Sequence, residues 1–253
     1  MAYHERGAND VISDLTENCD SVFVSVHGDS CVLHTYPTSA DEDAQQRHQF
    51  ELDTCLPTVN AEADHIREIP LSGPVHGVRW HSLVVIPEGY IAACRRRTTP
   101  QCIIMSDVES DIHALQHSVR NTTDVWLAVG RRGKQWFRMI FSPNGTLVDL
   151  RTLSGAGALD PGTIVTEALL AARAATGSLI SRVVLFGDYL TKATLNAITS
   201  SLADVDARVE RLQPYRSVRS ALPPNIERSI LAKAHMLGPL VGMRHQPSHI
   251  ESK

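Results

Sequence analysis

The order of the elements predicted between residues 124 and 214 constrains the fold more strongly than any other feature of this sequence. Apolar runs rich in β-branched and aromatic residues, separated by short turns, predict three consecutive antiparallel strands that form a meander. A glycine-rich loop then leads into a helix, a buried strand, a glycine turn, a second helix and an edge strand. Few folds continue a meander in this way, so we predict an α/β protein with a mixed sheet. The strands are predicted at 125–129, 135–141, 147–153, 183–186 and 207–212, and the helices at 163–176 and 190–202.

The sequence before residue 120 has a weaker pattern of the same kind. Two short strands separated by the polar turn 27–30 predict a hairpin, and the apolar spacing within 107–119 predicts a helix. The segment 50–69 carries an interrupted helical pattern, which is broken at Pro57 and stopped at Pro70. The other predicted elements are the strands 21–26, 31–36, 81–86 and 102–106, a helix or strand at 89–97, and a final helix at 225–236.

Composition argues against several classes of function. The net charge of -4 gives no electrostatic reason to bind nucleic acid or an anionic membrane. No apolar run approaches the ~20 residues that span a bilayer, and the polar N-terminus lacks the apolar core of a signal peptide. The five cysteines are odd in number and show no Cys-x-x-Cys spacing. We therefore expect a cytoplasmic protein with reduced thiols, without a disulfide framework or a zinc-binding motif.

Short motifs along the chain follow one another in a characteristic order: Leu56-Pro57, Glu62-Ala63, 103–115, 125–130, Asn144-Gly145, 150–153, 184–187 and 209–214. In this order the chain resembles the PilM-type proteins of type IV pilus assembly and the related cytoplasmic GspL-type domains of type II secretion. The resemblance covers residues 21 to 242. It implies an actin-like, ribonuclease-H-like fold, with two mixed-sheet lobes and flanking helices.

The resemblance also implies a domain organisation and a partner. The resemblance implies an incomplete first lobe, because family members carry an earlier hairpin, before the point where this chain starts. The family binds the short N-terminal tail of an inner-membrane protein, so the cytoplasmic tail of such an assembly protein is the expected partner. Neither nucleic acid nor direct membrane insertion is expected. The predicted divisions are a flexible N-terminus at 1–20, a first lobe at 21–120, a second lobe at 121–242 and a disordered tail at 243–253.

The residues that would hold a nucleotide depart from the pattern of an active member. An actin-like ATPase needs an Asp-x-Gly turn in each lobe, where the carboxylate positions Mg²⁺ and the glycine lets backbone amides approach phosphate. The second-lobe turn reads Ala128-Val129-Gly130, so the acid is absent, and the adenosine-side Gly-Gly turn reads Gly187-Asp188. We therefore predict a pseudo-ATPase scaffold without catalytic residues, cofactor or metal.

A divergent ATPase or kinase is the alternative that this pattern leaves open. The turn 131–134 is basic and could bind an anion or an acidic partner. ATP and Mg²⁺ would then be held at this turn, with Asp188 or Asp124 in place of the missing carboxylates. The degenerate nucleotide site predicted in this way comprises Ala128, Gly130, Arg131, Arg132, Lys134, Gly187 and Asp188.

Two other motifs admit a ligand-binding interpretation. The loop 155–162 lies between a strand and a helix, where a dinucleotide-binding loop belongs, but a Gly-x-Gly-x-x-Gly pattern would need glycine at Asp160. A connection capped by Asp160 or Thr163 is the competing interpretation. His113 and His117 are spaced to share one face of a helix, without a third ligand placed by the spacing.

Overall fold

The structure is a computed structural model of the 253-residue chain. It describes residues 22–39, 42–60, 64–72, 78–96, 102–119, 122–153, 159–215, 223–232, 234, 238 and 239. The predicted flexible N-terminus, the predicted disordered tail and the predicted lobe boundary at 120 and 121 lie outside the described residues.

Strands and helices alternate along most of the described chain. The strands are β1 (Val22–Val26), β2 (Val32–Thr38), β3 (His65–Ile69), β4 (Arg79–Ile86), β5 (Cys102–Ser106), β6 (Trp126–Arg132), β7 (Gln135–Phe141), β8 (Leu147–Thr152), β9 (Arg182–Gly187) and β10 (Arg208–Arg211). The helices are α1 (Ala44–Cys55), α2 (Glu88–Arg95), α3 (Asp107–Ser118), α4 (Pro161–Thr176), α5 (Lys192–Ser201) and α6 (Pro224–Ala232), and a 3-10 turn spans Gly28–Ser30.

The second lobe, by which we mean the described residues after position 121, contains the predicted meander and its continuation. Its five strands lie in the order β10-β9-β6-β7-β8. β6, β7 and β8 are antiparallel neighbours, whereas β9 and β10 run parallel to β6. The helices α4 and α5 connect the parallel strands, as a crossover between parallel neighbours requires. The mixed sheet predicted for this part of the sequence is therefore confirmed.

The first lobe, by which we mean the described residues before position 120, repeats only part of this arrangement. β1 pairs with β5 in parallel, as β6 does with β9. A separate three-stranded antiparallel sheet has the order β2-β4-β3, and α1 lies between β2 and β3 in the sequence. The helix α3 follows β5 directly and starts with a capping box formed by Ser106 and Glu109.

Two predictions for the first lobe are wrong. The hydrogen-bonding partner of β1 is β5 and that of β2 is β4, so these strands do not form the predicted hairpin. The segment 50–69 is not an interrupted helix, because α1 ends at Cys55 and residues 65–69 form β3. All five residues of β3 pair with β4, and that long-range pairing outweighs the weak helical spacing.

β6 is buried on both faces and joins the two layers of the core. Leu127 and Val129 pack in a cluster with residues of α4. Trp126 and Ala128 face the other side and share a cluster with α3 and with strands of the first lobe. A continuous apolar strand of this kind is typical of a sheet covered on both sides. The end of β6 is therefore held firmly where the two lobes meet.

Candidate functional site

The carboxyl ends of two pairs of parallel strands meet at one place in the molecule. The turn 27–30 follows β1, the helix α3 follows β5, the turn 131–134 closes β6, and Asp188 follows β9. In open α/β folds, ligands bind outside the carboxyl ends of the strands. We call the region between these four segments the interlobe cleft.

Backbone amides of both turns donate hydrogen bonds within the interlobe cleft, and their acceptors are carboxylates of the protein itself. Amide groups presented by such turns otherwise bind phosphate and other anions. Three positions that an anion would take are thus filled from within the chain. The pairs are Gly28 N with Asp107 Oδ2 at 3.0 Å, Gly133 N with Asp188 Oδ2 at 3.1 Å, and Lys134 N with Asp29 Oδ1 at 3.0 Å.

Arg132 lies at the centre of this group of acids. Its Nε and Nη2 donate to the two carboxylate oxygens of Asp111 at 2.7 and 2.8 Å, which is a two-point ion pair. Its Nη1 donates to Asp188 Oδ1 at 2.6 Å. Asp111 is 0% exposed and Arg132 is 3% exposed, so the pair is shielded from water. The guanidinium therefore supplies the positive charge that the clustered carboxylates require.

Burial acts on the carboxyl groups of α3. It raises the pKa of Asp111 to about 6, and the adjacent Arg132 guanidinium opposes this rise. Burial likewise raises the pKa of Asp107, against its hydrogen bond from Gly28. Asp107 Oδ1 finds no hydrogen-bond partner among the described residues. Both acids thus incur a desolvation cost, which the hydrogen bond from Gly28 and the nearby Arg132 guanidinium offset in part.

The glycines of the predicted nucleotide site lie in close contact with other parts of the protein. A Cβ added to Gly130 would lie 2.5 Å from ring carbons of Phe186, so this ring covers the backbone that a phosphate would approach. Gly187 has φ +96°, and a Cβ there would lie 2.0 Å from the carbonyl oxygen of Arg131. Both glycines are therefore needed for the close contact between β6 and β9.

The other predicted residues of the nucleotide site differ in their surroundings. Ala128 is fully buried within β6. The guanidinium of Arg131 lies 4.4 Å from the ring centroid of Tyr189, and its Nε donates to Gly133 O at 2.6 Å. The side chain of Lys134 is exposed. Asp124 precedes the start of β6, at the opposite end of the strand from the interlobe cleft. Asp188 is thus the acid that the structure brings to the cleft, and Asp124 is not.

The remaining candidate motifs lie elsewhere. Asp160 is the N-cap of α4 and accepts hydrogen bonds from Gly162 N and Thr163 N, as the capping interpretation requires. Residues 154–158 of the same loop lie outside the described residues. His113 and His117 are both half-buried on α3, and His113 lines a separate groove.

The sequence pattern did not place Asp107 and Asp111 in the candidate nucleotide site. The two acids have the i, i+4 spacing that places two side chains on one face of a helix. Acids that are buried in this way indicate a charged partner. The turn 27–30 was read as part of a hairpin, although its glycine between two strands could have indicated a counterpart of the second-lobe turn.

A second candidate site is a groove of about 500 Å³ between β3 and α3. β3 pairs with β4 on one side, and its other side is an edge among the described residues. The guanidinium of Arg67 crosses the groove, where Nη2 donates to Ile104 O at 2.7 Å and to Glu109 Oε2 at 3.1 Å. The apolar lining consists of Ile66, Ile69, Pro70, Met105, Ile112 and Leu147.

The strand order and the interlobe cleft define the class of protein: the chain has the actin-like fold, as the sequence analysis predicted. No family model matches the sequence, and no curated protein matches it by sequence comparison. None of the helices in the described residues is both long enough and apolar enough to cross a membrane.

Solved structures share this fold at low sequence identity. The chain is similar to a structure of the PilM-PilN type IV pilus biogenesis complex, with 12% identity and a TM-score of 0.58 over 93% of this chain and 84% of that chain. It is also similar to a Bacteroides thetaiotaomicron protein with an actin-like ATPase fold and unknown function, with 11% identity and a TM-score of 0.52 over 93% and 80%. The cytoplasmic domain of EpsL, from the Vibrio cholerae type II secretion system, matches with 10% identity and a TM-score of 0.37 over 78% and 80%.

Proposed function

We propose that this protein is a non-catalytic actin-like scaffold, a pseudo-ATPase that docks a protein partner in a bacterial pilus or secretion machine. It would work in the cytoplasm, at the inner-membrane surface, through that partner. The observation that carries the proposal is a set of hydrogen bonds in the interlobe cleft. Backbone amides of both turns donate these bonds to carboxylates of the chain itself.

Nucleotide binding would have to break this arrangement. A triphosphate brought to the same amides would meet Asp29, Asp107 and Asp188, and these like charges would repel it. Magnesium could neutralise the acids, but Asp188 is already paired with the guanidinium of Arg132, which also binds Asp111. Replacing a bound guanidinium by a metal ion would strand a buried arginine, which is costly. The interlobe cleft is therefore better suited to holding the two lobes together than to binding ATP.

The groove between β3 and α3 suits the partner. An extended peptide could add a strand to the free edge of β3 and place alternate apolar side chains against Met105 and Ile112. The complex named for the first of the solved structures pairs PilM with PilN. By this likeness in fold, we propose that the partner here is the cytoplasmic tail of a PilN-type inner-membrane protein.

Calorimetric titration of the purified chain with ATP, with and without Mg²⁺, tests the scaffold. We expect no heat of binding at protein concentrations of about 100 μM, where even a Kd near 1 mM would leave a measurable signal. Magnesium-dependent binding tighter than this limit would contradict the proposal.

The partner is tested by the binding of a fluorescent peptide that contains the N-terminal tail of the PilN-type protein from the same genome. We expect Pro70→Asp to abolish binding, because it puts a charge on an exposed part of the apolar lining of the groove. Leu170→Asp is the matched control, since Leu170 is an exposed apolar residue on α4, away from the groove. Equal binding by both variants would place the peptide elsewhere.

One observation favours a divergent ATPase as the second candidate. The carboxylates of Asp111 and Asp188 bind a single cation, the Arg132 guanidinium, in the interlobe cleft, and Asp107 lies one helical turn before Asp111 on α3. Carboxylate clusters also hold magnesium with substrate phosphates. In that case ATP and Mg²⁺ together would displace Arg132, and the calorimetric titration would give heat only when both were present.

A further inference from the structure

We infer that α1 and β2 together form a binding site for a zinc ion, with His34, Glu51 and Cys55 as its ligands. One potential ligand atom from each of these side chains lies within 4.8 Å of the others. His34 Nε2 and Glu51 Oε2 are 2.7 Å apart. This cluster lies in the first lobe, apart from the interlobe cleft, and goes beyond the scaffold function.

The fold holds two of these ligands on one helical face. Glu51 and Cys55 are four residues apart in the last two turns of α1, so their side chains lie one above the other. Asp43 caps the start of α1 and accepts hydrogen bonds from Gln45 N and Gln46 N. Leu52 anchors the helix on the sheet through a buried cluster with β2 and β4. The pair is therefore presented towards β2 by a fixed helix.

The third ligand comes from β2 and is also restrained. The His34 ring stacks on the Tyr36 ring, with centroids 5.9 Å apart and an angle of 23° between the planes. Tyr36 is itself held between rings, because it stacks on His81 and its hydroxyl lies 3.1 Å from His48 Nδ1. These contacts restrict the rotamers of His34, so its Nε2 is held facing Glu51.

The set of donor atoms indicates the metal. Imidazole nitrogen, carboxylate oxygen and thiolate sulfur together are typical of zinc, which accepts all three at 2.0–2.3 Å in a tetrahedral arrangement. Such distances need a nitrogen–oxygen separation of about 3.4 Å, so the His34–Glu51 contact would open by well under 1 Å. Cys55 is exposed, which leaves the fourth position to water.

Charge around the cluster is compatible with a bound cation. Glu51 Oε1 is ion-paired with Arg47, while Oε2 faces His34, so the two carboxylate oxygens have separate partners. Arg47 also lies 3.6 Å from Glu42 and stacks over Phe50. A zinc ion on Oε2 would leave Arg47 as an outer partner that orients the carboxylate, an arrangement common around metal sites.

Titration of the reduced full-length chain with Co²⁺ tests the site, since a cobalt–thiolate bond gives a near-ultraviolet charge-transfer absorption that free Co²⁺ lacks. We expect saturation at one equivalent and complete displacement by one equivalent of Zn²⁺. Cys55→Ser should remove the absorption, and His34→Gln should weaken the binding at least tenfold. Cys55 is exposed, so the serine variant should keep its fold, which circular dichroism checks.

The chain has five cysteines and twelve histidines, so adventitious binding must be separated from this site. His65→Gln is the matched control, because it removes an imidazole from β3 of the same sheet that is not one of the three proposed ligands. It should bind Co²⁺ as the parent does. Absorption that survives in Cys55→Ser, unweakened binding by His34→Gln, or the lack of any saturable absorption in the parent chain would overturn the inference.

Discussion

Arg132, in the second lobe, forms a buried two-point ion pair with Asp111 on α3 of the first lobe. The two residues are 21 positions apart in the sequence and meet between the carboxyl ends of the parallel strands. Asp188 accepts a third hydrogen bond from the same guanidinium. The interlobe cleft is thus joined by charge at the place where related folds would close on a ligand.

We predict that Arg132→Met lowers the free energy of unfolding by about 3–5 kcal/mol, because it leaves the buried Asp111 carboxylate without a counter-charge. Urea unfolding at pH 7 measures the loss. Arg131→Met is the neighbouring control, and it should cost about 1 kcal/mol, since it removes a partly exposed stack on Tyr189 and one partly exposed hydrogen bond to Gly133 O.

The paired replacement of both residues separates charge from packing. Arg132→Met combined with Asp111→Leu should recover most of the stability lost in the single variant, because a buried ion pair can be replaced by apolar contacts at little net cost. A double variant as unstable as Arg132→Met alone would show that the charge on Asp111 is not the cause.

We predict that Gly130→Ala destabilises the protein by about 1–3 kcal/mol, because the new methyl group would overlap the Phe186 ring. Thermal or urea unfolding gives the value. In a Phe186→Ala background the same change should cost clearly less, and the difference between the two is the coupling energy of a double-mutant cycle. If the two costs were equal, Gly130 would be needed for some reason other than contact with Phe186.

Stability should depend on the protonation of His113. Burial lowers the pKa of this imidazole, so the folded protein prefers its neutral form. The resulting stability is fully present above pH 6.5 and is lost as the pH falls through the lower pKa of the folded state. Urea unfolding at several pH values should show a smaller decrease below pH 6.5 in His113→Gln than in the parent.

The pKa of His65 is lowered in the same direction by burial, so some pH dependence should remain in His113→Gln. An NMR titration of the imidazole signals assigns each contribution to its residue. A normal or raised pKa for His113 would contradict the prediction.

We predict that Asp160→Ala lowers the midpoint of urea unfolding, because two amides at the start of α4 lose their acceptor. Asp124→Ala is the matched control, since Asp124 is an exposed acid that caps no helix, and it should cost little. The difference between the midpoints of urea unfolding measures the effect. Equal midpoints would argue against the capping role and for a loop held in another way.

Much of the second lobe could be predicted from the sequence because its signals are local. The meander β6-β7-β8 is specified by alternating apolar residues and short turns, and α4 by its periodicity and the capping Asp160. In the first lobe, the segment that became β3 is only five residues long and overlaps a helical pattern. Its pairing with β4 decides its conformation, and this pairing is not visible in a local window.

The order of the elements after residue 124, the actin-like fold class and the lack of an acid at Ala128 could all be predicted from the sequence. What occupies the interlobe cleft depends instead on tertiary contacts. The Asp107 carboxylate accepts a hydrogen bond from Gly28 in the first-lobe turn, and the Asp111 carboxylate is paired with Arg132 in the second-lobe turn, so both contacts join residues far apart in the chain. The pairing of buried charged groups depends on packing and desolvation in three dimensions, and residue spacing along the chain does not encode this pairing.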